Sequence, residues 1–298
     1  MNSMTRFNPL DYPIVFTQPT RDAGYQWWVG HIPFAFMVTQ MVRPDVFAEL
    51  GTLGGSSYCA FCQAVAQLKL PTRCFGIDTF QGDEHTGRYG EEILAELRAF
   101  HDPRYGHFSQ LVRSTFDDAL TRFPDGSIDL LHIDGRHTYD AAKHDYGTWW
   151  PKLSARGVAL FHDTANRDPG YGVYRVWEEV RATGPSFNFP HYAGLGVLAV
   201  GPQQPAEFLE FLRAANEAPE VVATFFETVG KRIDHGFVVN QLSDFLDKGQ
   251  RFIDRWKSEA GQPLEDAPAD AKVVPYQAAR RISRDLQSLF SGDPRRKR

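Results

Sequence analysis

Asp134, His137, His162 and Asp163 are the residues of this chain best suited by type and spacing to chemistry. They lie in Ile133-Asp134-Gly135-Arg136-His137-Thr138-Tyr139 and in Phe161-His162-Asp163-Thr164. Each stretch closes a short apolar run that reads as a β-strand, residues 127–134 and 156–163. Neighbouring parallel strands would bring the two ends together over the sheet, where open α/β proteins hold their ligands. Asp134, His162 and Asp163 would then offer two carboxylates and an imidazole. That set can hold a divalent cation of the magnesium or manganese kind with room left for water or substrate. His137, three residues past Asp134, overlooks the same place as a candidate base, because imidazole titrates near pH ~6.5.

A second constellation is Glu49-Leu50-Gly51-Thr52-Leu53-Gly54-Gly55-Ser56-Ser57, at a strand-to-helix turn. Glycines there allow positive φ and a close approach of backbone to ligand. The spacing is not the G-x-G-x-x-G of dinucleotide sites. The acid two positions before Gly51 suits a ligand with a cationic amino group, whose hydrogen bonds a carboxylate accepts. Asp78 ends the next strand, where an acid can bind a ribose hydroxyl pair. On this reading Gly51→Val should fill the ligand's place without unfolding the chain.

The elements that must position these residues follow from periodicity. Strands read at 46–51, 73–80, 107–116, 127–134 and 156–163, with helical patterns between them. A closing pair of strands runs through Phe187–Tyr192 and 194–201. Alternation of this kind gives βαβ units with right-handed crossovers. The expected fold is a Rossmann-like α/β domain: a seven-stranded, mostly parallel sheet with helices on both faces, plus a C-terminal helical extension. The expected divisions are an N-terminal substrate or cap segment (1–44), the core (45–202), a helical extension (203–260), and a linker with a terminal helix and basic tail (261–298). Apolar residues recur at helical spacing after about residue 205, beyond what a finished α/β core needs, so homo-oligomerisation through these helices is expected. Trp27, Trp28, His85 and Tyr89 are candidates for an aromatic acceptor wall.

Composition narrows the class. The 298 residues are 42% hydrophobic and 23% charged, ordinary for a globular chain, and the formal net charge of −5 gives no sign of a nucleic-acid partner. The basic run Arg295–Arg298 reads as a solvated tail. No apolar stretch is long enough to span a membrane, and the N-terminus lacks a charged-then-apolar leader pattern. Three cysteines fit a reducing, cytoplasmic location. Cys59 and Cys62 form a C-x-x-C on an amphipathic helical pattern, with no second pair to complete a zinc site, and read as buried helix residues.

Taken together, E-L-G-T-L-G-G-S-S, F-G-I-D-T-F-Q-G-D-E-H and D-L-L-H-I-D-G-R-H-T-Y followed by G-V-A-L-F-H-D-T resemble class I S-adenosylmethionine-dependent methyltransferases. Within these, the chain is most similar to the group containing bacterial sugar and macrolide O-methyltransferases and cephalosporin-hydroxylase-like proteins. The resemblance covers about residues 45–200. It implies cofactor roles for Glu49, Gly51 and Asp78, and the full expected cofactor set is Glu49, Gly51, Gly54, Gly55, Ser56, Asp78, Thr79, Ser114, Thr115 and Asp134. It also implies the metal set Asp134, His162 and Asp163, with His137 at the place of the base in metal-dependent relatives. Those relatives carry an acid where this chain has His162, and histidine suits softer divalent metals. The expected activity is methylation of a hydroxyl on a sugar, a glycan or a glycosylated natural product. Two rival readings are an NAD-dependent oxidoreductase, favoured by Asp78, and a non-catalytic scaffold protein of glycan assembly.

Overall fold

The computed structural model of the chain describes residues 7–24 and 27–260. The expected linker, terminal helix and basic tail (261–298) lie outside the described residues. The chain divides into two compact units, residues 1–234 and 235–298. In the second unit, the described part is helical as far as Ala260.

The first unit is built on one sheet. Its strands are β1 (Val46–Leu50), β2 (Arg73–Asp78), β5 (Ser109–Arg113), β6 (Ile128–Ile133), β7 (Leu153–His162), β8 (Ser186–Phe189) and β9 (Leu195–Ala199). A separate two-stranded hairpin, β3 (Gly82–Asp83) and β4 (Gly87–Arg88), leaves the end of β2. The sheet order is β5-β2-β1-β6-β7-β9-β8. All strands are parallel except β9, which runs against both β7 and β8. Every residue of β1 and β6 is buried, as expected of strands covered by helices on both faces. This is the Rossmann-like α/β sheet of seven strands that the periodicity implies. The sequence does not reveal the β3–β4 hairpin, because two-residue strands carry no periodicity.

The helices are α1 (Ile32–Val42), α2 (Ser56–Leu68), α3 (Glu91–Tyr105), α4 (Phe116–Ala119), α5 (Tyr139–Trp149), α6 (Val173–Val180), α7 (Ala206–Glu217) and α8 (Pro219–Ala260). Helix α1 lies within residues 1–44, the segment expected to be a substrate or cap segment. All of its residues but Gln40 are buried, and a helix apolar on every side belongs to a core. Cys59, Cys62 and Cys74 are free and buried, and burial pushes the Cys59 and Cys62 thiols up. They are packing residues, as the helical pattern suggests.

The helical region after residue 205 also packs differently from expectation. Within the first unit, Phe211 and Phe226 pack against Phe34 of α1 at 5.4 and 5.7 Å, and Phe226 lies 5.3 Å from Phe189 of β8. A Cβ placed on Gly230 would stand 2.5 Å from the Gly30 carbonyl oxygen, so α8 crosses the Trp28–His31 segment at backbone contact. Phe208, Phe211, Phe226 and Ile233 are fully buried. These residues complete the chain's own core, which accounts for the apolar spacing that reads as a self-association face. No described helix is long and apolar enough to cross a membrane.

Candidate active site

The strand order reverses at β1: β2 lies on one side and β6, after a long crossover, on the other. Such a switch point opens a crevice beyond the strand ends. Its floor is tightly fixed. The Asp134 amide donates to the Leu50 carbonyl at 2.8 Å and the Gly51 amide to the Ile77 carbonyl at 2.9 Å. Gly51 has φ +91°, and a Cβ there would sit 2.0 Å from the Asp134 carbonyl oxygen. Glycine is therefore required at 51 by the approach of the β6 end, whatever the crevice holds. Gly51→Val would displace Asp134, contrary to the expectation of a variant that merely blocks a ligand.

The rest of the glycine turn is held from two sides. The Asp78 carboxylate accepts the Thr52 and Leu53 amides through Oδ2 (2.9 and 2.8 Å) and the Phe80 amide through Oδ1 (2.7 Å). Burial pushes its carboxyl up against the opposing pull of those three amides. Asp78 thus organises the turn. The buried guanidinium of Arg21 donates to the Gly54 carbonyl from Nε and Nη2 (3.2 and 3.1 Å) and pairs with Glu96. Gly55, φ +81°, is the N-cap of α2. Ser56 begins that helix, and Thr79 is partly exposed beside Asp78. The Ser114 amide donates to the Asp78 carbonyl at 3.0 Å. The Thr115 hydroxyl caps α4 through the Asp118 amide.

Glu49, in β1, is fully buried. Its Oε2 accepts the His132 Nδ1 proton at 2.8 Å, and His132 Nε2 accepts the Trp28 indole N–H at 3.1 Å. An indole can only donate, so His132 is the neutral Nδ1–H tautomer. Burial pushes the Glu49 carboxyl up, and its Oε1 makes no hydrogen bond among the described residues. An orphaned buried carboxylate oxygen beside the crevice fits a cationic amino group. Trp28, proposed from sequence as acceptor wall, is a buried partner of His132, while Trp27 is 55% exposed.

Beyond β6 and β7 the four chemically able residues do converge. His162 Nδ1 stands 3.2 Å from both Asp134 Oδ1 and Asp163 Oδ2. His137 Nε2 stands 3.0 Å from Asp163 Oδ2 and 3.8 Å from Asp134 Oδ1. The ligand atoms of Asp134, His162 and Asp163 lie within 4.8 Å of one another, a spacing a divalent cation can draw together. His162 Nε2 lies 3.2 Å from the Tyr192 carbonyl oxygen. A carbonyl only accepts, so Nε2 carries a proton and Nδ1 is the nitrogen left for a cation, the arrangement common to metal-bound histidines. Three successive left-handed residues, Tyr192, Ala193 and Gly194 at φ +47°, +69° and +94°, shape the turn that presents this carbonyl.

The electrostatics of the cluster are those of facing opposite charges. Burial disfavours the imidazolium of His137, but Asp134 and Asp163 outweigh it and push its pKa up to about 10. The same carboxylates raise His162 well above the usual range against the same opposition. Burial would raise the Asp134 and Asp163 carboxyls, and the imidazoles beside them, His162 foremost, hold both low instead.

Over the cluster lies the β3–β4 hairpin. His85 is 5.2 Å from the His137 ring and 4.8 Å from Tyr171, and Tyr171 stacks on His137 at 5.0 Å. Arg136 donates to both carboxylate oxygens of Glu84, 2.5 and 2.7 Å away. Of the proposed wall residues, His85 therefore reaches the site and Trp28 does not. Tyr171, Tyr192 and Arg21 went unrecognised because each sits at a position with no motif around it, and His132, inside the β6 motif, because its partners Glu49 and Trp28 lie on other elements.

Residues 48–164 match the model of a family described as "Methyltransferase domain". That span holds the glycine turn, Asp78 and the whole Asp134–Asp163 cluster. Over this segment the chain is similar to a methyltransferase domain. A protein of Sinorhizobium fredii described as uncharacterized protein y4gI is 48% identical over 192 residues, 64% of this chain and 21% of that protein. The chain thus spans about a fifth of the length of that relative. Among solved structures, the O-methyltransferase TomG of Streptomyces achromogenes, in complex with S-adenosylmethionine, is 15% identical with a TM-score of 0.45, over 67% of this chain and 100% of that one. The S-adenosylhomocysteine-bound methyltransferase PaMTH1 of Podospora anserina matches at 15% identity and TM-score 0.45, over 67% of this chain and 99% of that one.

Proposed function

We propose that this chain is an S-adenosylmethionine-dependent O-methyltransferase that methylates a hydroxyl of a sugar, a glycan or a glycosylated natural product with the help of a divalent cation. The observation that carries the reading is the placement of the Asp134–His137–His162–Asp163 cluster immediately beside the switch-point crevice, within the matched methyltransferase domain. The orphaned Glu49 Oε1 and the glycine turn support cofactor binding in the crevice.

The donor methyl is already activated as a sulfonium, so the protein must align an acceptor and give it a nucleophilic oxygen. Alignment alone supplies roughly 7–11 kcal/mol in the best intramolecular cases. Asp134, His162 and Asp163 would hold the cation, which would lower the pKa of a chelated hydroxyl and cancel the carboxylate field that keeps His137 protonated. His137 would then take the acceptor proton, and bound S-adenosylmethionine would supply the methyl group to the acceptor oxygen. Vicinal hydroxyls chelate well, which favours a diol, and His85 and Tyr171 give a sugar ring aromatic edges to pack on.

The test is a methyl-transfer screen against sugars and phenols, with Mg²⁺, Mn²⁺ or chelator. Activity should vanish in chelator and return with metal. His137→Ala should keep cofactor affinity and lose about 10²–10⁴-fold in rate. Full activity in chelator would refute the metal role, and a His137→Ala enzyme as fast as the parent near neutral pH would refute the base.

A further inference from the structure

Among the described residues a second group of metal-ligating side chains comes together, outside the Asp134–His162–Asp163 set: Asp83, His85 and His137, with ligand atoms all within 4.8 Å of one another. The geometry points to a second divalent-cation site there, made of two imidazoles and one carboxylate, which selects zinc- or cobalt-like ions and clamps the β3–β4 hairpin to the end of β6.

The hairpin presents its two ligands in a fixed arrangement. Asp83 Oδ1 accepts the His85 and Thr86 amides, both at 2.8 Å, and the Thr86 hydroxyl at 2.9 Å. All three bonds of this turn fall on one oxygen, and Oδ2 takes none among the described residues. His85 turns Nε2 toward Gly170, where an added Cβ would lie 3.3 Å away. Its Nδ1 is buried with no hydrogen-bond partner, and so is Nδ1 of His137. Two buried ring nitrogens left unbonded in one place cost free energy that a ligand would recover.

The rings also suit a shared ion. Two imidazoles bound at about 2.1 Å to one tetrahedral cation have ring centroids roughly 5 Å apart, and those of His85 and His137 are 5.2 Å apart and nearly perpendicular at 84°. Ligand atoms around such an ion stand about 3–3.5 Å apart, so the cluster needs only a modest contraction. His137 has the support a ligating imidazole usually has on its other nitrogen, because Nε2 faces Asp163 at 3.0 Å.

Ligand chemistry separates the two sites. The inner set of two carboxylates and one imidazole is oxygen-rich, and the outer set is richer in imidazole and prefers later transition metals. Occupying the outer site engages His137 and pins the hairpin over the inner cluster. An ion there would therefore block whatever exchange of protons or ligands passes through His137. The inference rests on this cluster alone and does not depend on the methyl-transfer reading.

The full chain, stripped with chelator, would be titrated with Co²⁺ while ligand-field absorption and bound metal per chain are read. The parent should bind two equivalents. His85→Ala and Asp83→Asn, the latter keeping an acceptor for the Thr86 turn, should each bind one, with far-UV circular dichroism unchanged. Adding Asp134→Asn to either should remove the remaining equivalent. A parent that binds no metal would overturn the site, as would a parent stoichiometry left unchanged in both hairpin variants. Methyl transfer does not enter the readout, so failure of the proposed function and failure of this site remain separable.

Discussion

Gly51→Ala tests whether the crevice floor is set by backbone packing or by a ligand. Two costs can be worked from the structure. An L-residue at φ +91° gives up about 1–2 kcal/mol for left-handed backbone. The new methyl would also meet the Asp134 carbonyl oxygen at 2.0 Å and its carbon at 2.6 Å, which backbone movement alone can relieve. The movement strains β1 against β6, two strands buried throughout, and overpacking of this kind costs about 1–3 kcal/mol. The total is on the order of 3 kcal/mol. At about 2–4 °C per kcal/mol for a domain of this size, the melting temperature should fall by roughly 6–12 °C. Thermal unfolding followed by circular dichroism gives the shift, and calorimetry at low temperature, where the variant stays folded, gives its S-adenosylmethionine affinity. Stability and affinity should fall together, because Gly51 and Asp134 move as a unit. An alanine variant melting within 2 °C of the parent would refute the packing argument.

Two further outcomes follow from the same geometry. Asp78→Ala leaves the Thr52, Leu53 and Phe80 amides without their acceptor; at about 1–3 kcal/mol for each buried orphan, the urea midpoint should drop by the equivalent of about 3 kcal/mol or more, and Asp78→Asn should recover part of it. In chelator, stability should fall as pH rises from about 6.5 toward 10: His137 has a folded pKa raised to about 10 against ~6.5 unfolded, so its contribution is complete below the unfolded value and lost as pH passes the folded one. Melting curves of His137→Gln should be flatter over that window, and an unchanged slope would show that the ring is not held as an imidazolium.

The fold was legible because its strands are short apolar runs bounded by turn residues, and strands buried on both faces need no alternation to be recognised. The boundaries were less so. β7 begins at Leu153, ahead of its apolar run, because an irregular register opposite Ile128 and Leu130 lets less apolar residues pair. Helix α1 reads as an aromatic-rich preamble in sequence, and its place in the core depends on α2 and on α7 and β8, the last two far away along the chain. The same long-range packing explains why Phe208, Phe211 and Phe226 resemble an interface when read in isolation.

At the site, legibility tracked whether a residue acts through its own strand end or through a partner. Asp134, His162 and Asp163 close adjacent parallel strands, so strand order alone unites them, and His137 follows by local spacing. Asp78 ends β2 as the periodicity suggests, but it reads differently once its partners are known. Its carboxylate is engaged by the amides of the glycine turn, so its first role is to hold that turn. His162 shows the opposite dependence. Its type and position are plain in the sequence, yet which nitrogen faces the carboxylates is decided by the Tyr192 carbonyl, 30 residues further on and turned inward by left-handed backbone at 192–194. Substituting His162 by asparagine would offer a ligand atom without that anchor. The cluster therefore depends on the β8–β9 turn as much as on the two strand ends that carry its ligands.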